Sequence, residues 1–142
     1  MNDIAPADGR AFAERHLPPD AYEHSLRVAE RAERKISLDS ADRTPVAIAL
    51  LHDVVEDGDV TLGDVREAFG ERVADAVGCL TRRPGEPYDA YIGRVMTNPD
   101  AAAVKACDLE DHLASPATAP SASYLRRCER ALGRLRNTAL GF

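Results

Sequence analysis

The segment AIALLHDVVED, residues 47–57, changes abruptly from an apolar run to a cluster of ionisable side chains. Its first five residues are apolar, His52 and Asp53 follow directly, and Glu56 and Asp57 come shortly after. An uninterrupted apolar run predicts a helix that is buried on all sides. Charged residues beyond such a run are ordinarily exposed, but an imidazole and a carboxylate placed directly against the core indicate a site. If the helix continues, Glu56 lies one turn beyond His52, and Asp57 lies one turn beyond Asp53.

Adjacent histidine and aspartate side chains form a ligand set for a borderline or hard divalent metal ion. Two ligands hold a catalytic ion poorly, so further ligands are expected on other predicted helices. His24 in YEHSLRVAE lies beside an apolar stripe, and Asp108 in VKACDLEDHL has apolar neighbours. Taken alone, each has a structural interpretation, as a core histidine or as a helix cap or ion-pair partner. Together with His52 and Asp53, in this chain order, they predict one metal site.

The remainder of the chain has helical periodicity, with no alternating strand, repeat or linker. Thr44 is expected to cap the helix that contains the apolar run, with Pro45 in its first turn. Thr61 and Asp64 form a capping box, and Gly70 ends the short helix that follows. Further helices are predicted over residues 20–36, 71–80, 88–96, 99–114 and 124–137. We therefore expect an all-α fold with one domain over residues 1–142.

The composition narrows the classes of partner. Of 142 residues, 44% are hydrophobic and 30% are charged, and the net charge of −6 argues against nucleic acid or an anionic membrane. A nucleic-acid site on the basic segment RRCERALGRLR, residues 126–136, is the alternative, and a solvated helix face explains that segment more simply. The three cysteines are far apart, which indicates reduced thiols in the cytoplasm. The segment MNDIAPADGR has no signal-peptide pattern, and no apolar run approaches membrane-spanning length.

The order of His24, His52-Asp53 and Asp108 resembles that of the HD superfamily of metal-dependent phosphohydrolases. Within this superfamily, the chain is most similar to the hydrolase domain of the RelA/SpoT-type alarmone enzymes and their small free-standing relatives. The similarity covers residues 22–113, and it is carried by the segments HSLRVAE, ALLHDVVEDGDVTLGDVREAFGERVADAVGCLTR, YDAYIGRV and VKACDLEDHL.

The resemblance implies a helical HD-domain bundle with a single Mn²⁺ ion, or alternatively another divalent metal. It assigns the metal ligands by motif as His24, His52, Asp53 and Asp108. It also implies that Glu56 and Asp57 position and activate the attacking water. The implied reaction removes the 3′-pyrophosphate from guanosine tetraphosphate or pentaphosphate.

The same resemblance suggests substrate contacts at Arg82, Arg83, Lys105, His112 and Tyr124. Each has a simpler alternative, because loop arginines and helical lysines are usually solvated and a tyrosine is often part of the core. The segment KACDLEDH, residues 105–112, departs from the family's usual K-L-A-D-R-L-H-N. Leu109 replaces a basic residue, and His112 stands where an asparagine contacts the nucleoside.

Two other functions remain open at this point. The altered segment 105–112 leaves room for an HD phosphohydrolase that acts on another nucleotide, such as a nucleoside monophosphate or a dinucleotide phosphate. A regulatory domain that keeps only the scaffold would be expected to lack a metal ligand or one of the acidic pair, whereas all six residues are present. The oligomeric state cannot be read from this pattern.

Overall fold

The computed structural model describes residues 6–36 and 39–137, and within them it is all-helical. The all-α prediction is therefore confirmed. The eight α-helices of this part of the chain are α1 (Pro6–His16), α2 (Pro19–Lys35), α3 (Thr44–Leu51), α4 (Leu62–Phe69), α5 (Glu71–Leu80), α6 (Tyr88–Val95), α7 (Pro99–Ala114) and α8 (Ala122–Arg136). A single 3₁₀ turn at Pro116–Thr118 joins α7 to α8.

Helix α3 is the centre of the bundle. Every residue of α3 except Pro45 is buried, and the helix packs against α1, α2, α5 and α7. Ile48, Leu50 and Leu51 are completely excluded from solvent. Burying a side chain of this size contributes about 1.5–3 kcal/mol, so the apolar run identified in the sequence anchors the core. The residues that follow α3 consequently emerge between the helices that surround it.

The end of α3 differs from the prediction. The helix stops at Leu51, and residues 52–57 form a series of turns. The imidazole Nδ1 of His52 lies 2.6 Å from the carbonyl oxygen of Ala49, and the backbone N–H of His52 reaches the same oxygen. This local side-chain bond competes with the helical hydrogen-bond pattern. One α-turn persists, because the N–H of Asp57 donates to the carbonyl of Asp53 at 2.8 Å.

Gly58 allows these turns to pass closely over the end of α1. A Cβ atom at this position would collide with the carbonyl oxygen of Val54 and would lie 2.7 Å from that of His16. Only glycine has no Cβ, so only glycine fits here without a shift of the backbone. Gly58 thereby fixes the path of the chain directly after Glu56 and Asp57.

Some helix starts differ from the prediction and others agree. Thr44 was expected to cap α3, but the capping residue is Arg43, and Asp42 accepts the hydrogen bond from the N–H of Thr44 at 3.0 Å. Thr61 and Asp64 form the expected capping box on α4. Gly70, with a φ of 91°, ends that helix as expected.

Helices α5 and α7 have the predicted bounds, and α8 begins two residues before its prediction, after Ser121. Helix α1 was not predicted as a separate element. Within the described residues, no helix combines the length and apolar character needed to cross a membrane. The expected lack of a targeting signal concerns residues 1–10, of which residues 1–5 lie outside the described part.

Candidate functional site

Three parts of the fold bring a histidine or an aspartate to the same point. His24 comes from α2, His52 from the turn after α3, and Asp108 from α7. One ligand atom of each residue lies within 4.8 Å of those of the other two. Oδ1 of Asp108 is 2.7 Å from Nε2 of His24 and 3.5 Å from Nε2 of His52. Asp53 joins the cluster, since its Oδ2 lies 3.1 Å from Nε2 of His52.

The hydrogen bonds that Nδ1 makes in His24 and His52 orient both rings so that their Nε2 atoms point into the cluster. Nδ1 of His52 donates to the carbonyl of Ala49, because a carbonyl oxygen can only accept. Nδ1 of His24 lies 2.7 Å from Oδ2 of Asp111 and donates a hydrogen bond to this carboxylate. With a cation bound between them and the carboxylates, both imidazoles would be neutral and would direct the lone pair of Nε2 at the cation. A histidine held in this way by a second carboxylate or carbonyl is typical of metal ligands.

The residues present fit a divalent metal ion. Nε2 of His52 is buried and, although Oδ2 of Asp53 lies 3.1 Å from it, it forms no well-aligned hydrogen bond among the described residues. A buried nitrogen without a partner costs free energy, and a cation between the imidazoles and the carboxylates would remove this cost. Imidazole and carboxylate donors without a thiolate suit Mn²⁺, Fe²⁺ or Zn²⁺.

The electrostatics of the cluster centre on Asp108. Its burial alone would raise its pKa, but Lys105 and the imidazoles of His24, His52 and His112 hold the pKa well below the usual range. Burial likewise opposes ionisation of Asp53, and the neighbouring His52 lowers its pKa. Both carboxylates are therefore anionic at neutral pH, which is the form that binds a cation.

A cavity of about 440 Å³ opens beside the cluster. Among the residues predicted from the sequence, it is lined by His24, Asp53, Glu56, Asp57, Arg82, Lys105, Asp108, His112 and Tyr124. The buried ring of His52 lies behind this wall. The volume of the cavity is in the range of small-molecule sites in proteins.

The acidic pair, Glu56 and Asp57, lines the cavity. The Oε1 atom of Glu56 accepts a hydrogen bond of 2.9 Å from the backbone N–H of Arg82, which ties the turn after α3 to the loop after α5. Burial and the carboxylates of Asp53 and Glu56 raise the pKa of Asp57. A carboxylate with a raised pKa is a stronger base than an ordinary aspartate.

Cations and tyrosines also line the cavity. Lys105 is largely shielded, and its Nζ lies 2.8 Å from Oδ2 of Asp108 and 5.1 Å from the ring centre of Tyr91. The alternative of a solvated lysine is therefore wrong. The guanidinium of Arg82 lies 5.5 Å from the ring centre of Tyr88. An ion pair holds the loop between α5 and α6, since Arg94 donates hydrogen bonds to both carboxylate oxygens of Glu86.

The other predicted substrate residues are divided between the cavity and its surroundings. His112 stacks on His24 with ring centres 4.6 Å apart, and its Nε2 lies 3.2 Å from Oδ1 of Asp108. Tyr124 meets the ring of His112 edge-on at 5.6 Å. It lines the cavity rather than serving only as core packing. Arg83 lies in the loop beside Gly85 and does not line this cavity.

Several residues of the site were not identified from the sequence. Asp111 is buried, binds His24, and is bound in turn by Arg27 at 3.1 Å. Its spacing of three residues from Asp108 places it on the same helix face, and this spacing could have revealed it. Tyr88 and Arg127 line the cavity from α6 and α8. No short motif marks these two, because they come together only when the helices pack.

The fold is that of a solved helical protein, a metazoan ortholog of SpoT that hydrolyses ppGpp and plays a role in starvation responses. The two structures superpose with a TM-score of 0.73, and the match covers 97% of this chain and 89% of the other. The sequences are 22% identical over the match. The predicted helical bundle of the HD type is thus confirmed as a fold. No protein-family model matches the chain.

Proposed function

We propose that this protein is a metal-dependent pyrophosphohydrolase that removes the 3′-pyrophosphate of guanosine tetraphosphate or pentaphosphate. The observation that carries the proposal is the convergence of His24, His52, Asp53 and Asp108 beside a cavity that is lined by both acidic and basic residues. The shared fold with a SpoT ortholog that hydrolyses ppGpp supports the same substrate. The free thiols Cys79, Cys107 and Cys128 are consistent with a cytoplasmic protein.

In this proposal the four residues of the cluster hold a divalent ion, for which Mn²⁺ is the first choice. When bound, such an ion acidifies water and polarises a phosphoryl oxygen. The chain contributes the orientation of the ligands. Asp111 and the carbonyl of Ala49 hold the protons on the outer nitrogens of His24 and His52, so that both Nε2 atoms remain available.

Glu56 and Asp57 orient the attacking water and take up its proton. Both lie on the cavity wall one turn beyond Asp53, and neither is consumed by an ion pair within the described residues. The raised pKa of Asp57 makes its carboxylate a stronger base than an ordinary aspartate. Glu56 is held in place by the N–H of Arg82, which leaves its second oxygen free to accept from water.

Lys105 and Arg82 neutralise the phosphates that the acidic pair would otherwise repel. Lys105 is held over Tyr91 by its bond to Asp108, so its charge is fixed at the wall of the cavity. Arg82 has no carboxylate partner among the described residues, and its Nε donates only to the carbonyl of Glu86. A planar guanidinium with unused donors suits a phosphate group.

A second candidate is an HD-type phosphohydrolase that acts on a different nucleotide. His112 favours it, because its Nε2 lies 3.2 Å from Asp108 and its ring stacks on His24. A histidine engaged in this way contacts a nucleoside differently from an asparagine at the same position. The base preferred by this protein would then differ from guanine.

A panel of nucleotides incubated with the purified protein and Mn²⁺ separates the two candidates. The proposal predicts conversion of guanosine tetraphosphate to GDP and pyrophosphate, with nucleoside monophosphates left intact. If guanosine tetraphosphate stays intact while another nucleotide is hydrolysed, the second candidate replaces the first. If no nucleotide is hydrolysed although the cluster binds the metal, the enzymatic proposal fails.

A further inference from the structure

Arg94 on α6 donates hydrogen bonds to the segment that joins α5 to α6. Its Nη1 reaches the carbonyl oxygen of Gly78 at 2.9 Å, and its Nη2 reaches that of Thr81 at 2.9 Å. Nε and Nη2 also donate to the two carboxylate oxygens of Glu86, at 3.0 and 2.8 Å. The side chain is only 19% exposed. A planar guanidinium with all its nitrogens engaged holds its acceptors in a fixed arrangement, so Arg94 ties the end of α5 to the far end of the α5–α6 loop, residues 81–87.

The α5–α6 loop also supplies two contacts to the reaction cavity. Arg82 lines the cavity, and its Nε donates to the carbonyl oxygen of Glu86 at 3.0 Å. The backbone N–H of Arg82 donates to Oε1 of Glu56 at 2.9 Å. The position of this loop therefore decides where both the cation of Arg82 and the carboxylate of Glu56 stand.

Arg94 and Glu56 bind opposite ends of one peptide group. The carbonyl oxygen of Thr81 and the N–H of Arg82 belong to the same peptide unit, which is planar and, in its trans form, points them in opposite directions. The described residues contain no cis peptide bond. Arg94 holds the oxygen end of this unit, and Glu56 accepts from its N–H end. A rotation of the unit that frees the first bond would therefore also disturb the second.

We propose that Arg94 is a positioning residue for the hydrolysis: through the peptide unit that precedes Arg82, it fixes the place of the Glu56 carboxylate in the cavity wall. Arg94 does not itself line this cavity, so it acts through the loop. Glu86 completes the arrangement, because it accepts from Arg94 and from the backbone N–H of Arg83 at 3.1 Å. The inference rests on the proposed function for the role of Glu56, whereas the link from Arg94 to Glu56 can be measured without substrate.

The first test follows the backbone amide of Arg82 in the purified protein. Its hydrogen exchange is measured by NMR in the wild type, in Arg94→Gln, and in Glu56→Ala, which removes the acceptor and gives the rate of the unbonded amide. Exchange should be about 10-fold or more slower in the wild type than in Glu56→Ala, since hydrogen bonds to charged groups are the stronger ones. Arg94→Gln should exchange nearly as fast as Glu56→Ala.

The second test measures turnover of guanosine tetraphosphate with Mn²⁺. Arg94→Gln should lower kcat by about 10–100-fold, because misplacing a catalytic group by about 1 Å can cost about 10²-fold. KM should rise, since Arg82 shifts with the loop. In a Glu56→Gln background the same substitution should change kcat much less, because the group that it positions has already lost its function. A merely structural role would lower kcat by the same factor in both backgrounds.

Arg72→Gln is the matched control, because Arg72 is another arginine that joins separate segments of the chain. It donates to both carboxylate oxygens of Asp100 at 2.9 and 3.1 Å and lies 2.9 Å from Asp42, and it does not line the reaction cavity. Arg72→Gln should lower the melting temperature while the exchange of the Arg82 amide, kcat and KM stay at their wild-type values.

A second variant replaces Arg94→Gln if that protein melts too early to be used. Glu86→Ala removes the carboxylate partner of Arg94 and should also accelerate exchange of the Arg82 amide. The proposal is overturned if this amide exchanges as slowly in the variant as in the wild type, or if Arg72→Gln accelerates it equally. It is also overturned if the wild-type amide already exchanges as fast as that of Glu56→Ala.

The two tests together distinguish this inference from the proposed function. Hydrolysis of guanosine tetraphosphate by Arg94→Gln at the wild-type kcat would refute the positioning role and leave the proposed function standing. The predicted exchange rates without turnover of any nucleotide would support the link from Arg94 to Glu56 and refute the proposed enzymatic activity.

Discussion

Replacing Glu56 with glutamine should separate the chemistry of the acidic pair from the stability of the fold. The Glu56 side chain is exposed, and its Oε1 accepts a hydrogen bond of 2.9 Å from the N–H of Arg82. The amide oxygen of glutamine can accept the same bond, so the loop after α5 keeps its position. Exposed substitutions that keep their contacts change the free energy of unfolding by about 0.5 kcal/mol or less. The melting temperature should therefore remain close to that of the wild type.

The same substitution removes a base from the reaction cavity. Loss of a general base typically lowers the rate by about 10²–10⁴-fold. At about 1.36 kcal/mol for each factor of ten, this corresponds to about 2.7–5.4 kcal/mol of activation free energy. Because the metal cluster does not include Glu56, the metal content of the variant should equal that of the wild type.

Three measurements on each variant make the comparison: metal content, thermal melting, and kcat for guanosine tetraphosphate with Mn²⁺. Asp53→Ala should lose metal and melt earlier, because a bound ion ties α2, α3 and α7 together. Glu67→Gln, an exposed acid on α4 away from the cavity, is the control and should match the wild type in all three.

The reasoning is refuted if Glu56→Gln hydrolyses the substrate at the wild-type rate. The role of the base would then belong to Asp57 alone or to another residue. If Asp53→Ala also keeps its metal, its stability and its rate, the acidic residues after α3 are surface charges and the enzymatic proposal fails.

Three further predictions concern the residues that support the site. Asp111→Ala should weaken Mn²⁺ binding by about 10–100-fold, since it removes the acceptor that orients a ligating imidazole, and unchanged affinity in a Mn²⁺ titration would contradict this role. Gly58→Ala should lower the free energy of unfolding by about 1–3 kcal/mol, because the added Cβ meets two backbone carbonyl oxygens. Gly133→Ala, which adds a Cβ in open space within α8, should instead stabilise the protein in the same denaturation assay. Hydrogen bonds from Arg94 lower the pKa of Glu86 to about 2, so this carboxylate stabilises the fold above its usual pKa, and that contribution is lost as the pH falls through about 2. Glu86→Gln should accordingly melt earlier than the wild type at neutral pH, with a difference that shrinks in acid; a difference that is independent of pH would argue against the ion pair.

Much of the fold follows from local patterns in the sequence. The apolar run of α3 predicts a buried helix whatever surrounds it, and the starts of α5 and α7 follow from Gly70 and Asn98, which act through local hydrogen bonds. The end of α3 could not be predicted in the same way. It depends on the side-chain bond from His52 to Ala49 and on the close passage of Gly58 over α1, a contact between segments far apart in the chain.

The residues of the candidate site could likewise be predicted only where a local sequence pattern marks them. The four proposed metal ligands were found because two of them are adjacent in the chain and the others stand in apolar helical contexts. Asp111 was missed, although its spacing from Asp108 was visible, because a second carboxylate on α7 has an ordinary interpretation as a solvated charge. Arg127 could not be identified at all, since its significance depends on the packing of α8 against α6, which brings it over Tyr88.

Removal and return of the metal tests the central claim most directly. The purified protein is treated exhaustively with EDTA and then titrated with Mn²⁺ while the release of pyrophosphate from guanosine tetraphosphate is measured. We predict no turnover after chelation and full recovery at one ion per chain, with the same recovery in Cys107→Ser because Cys107 is buried in the core and provides no ligand. Full turnover after exhaustive chelation, or loss of metal binding in Cys107→Ser, would contradict the proposed ligand set.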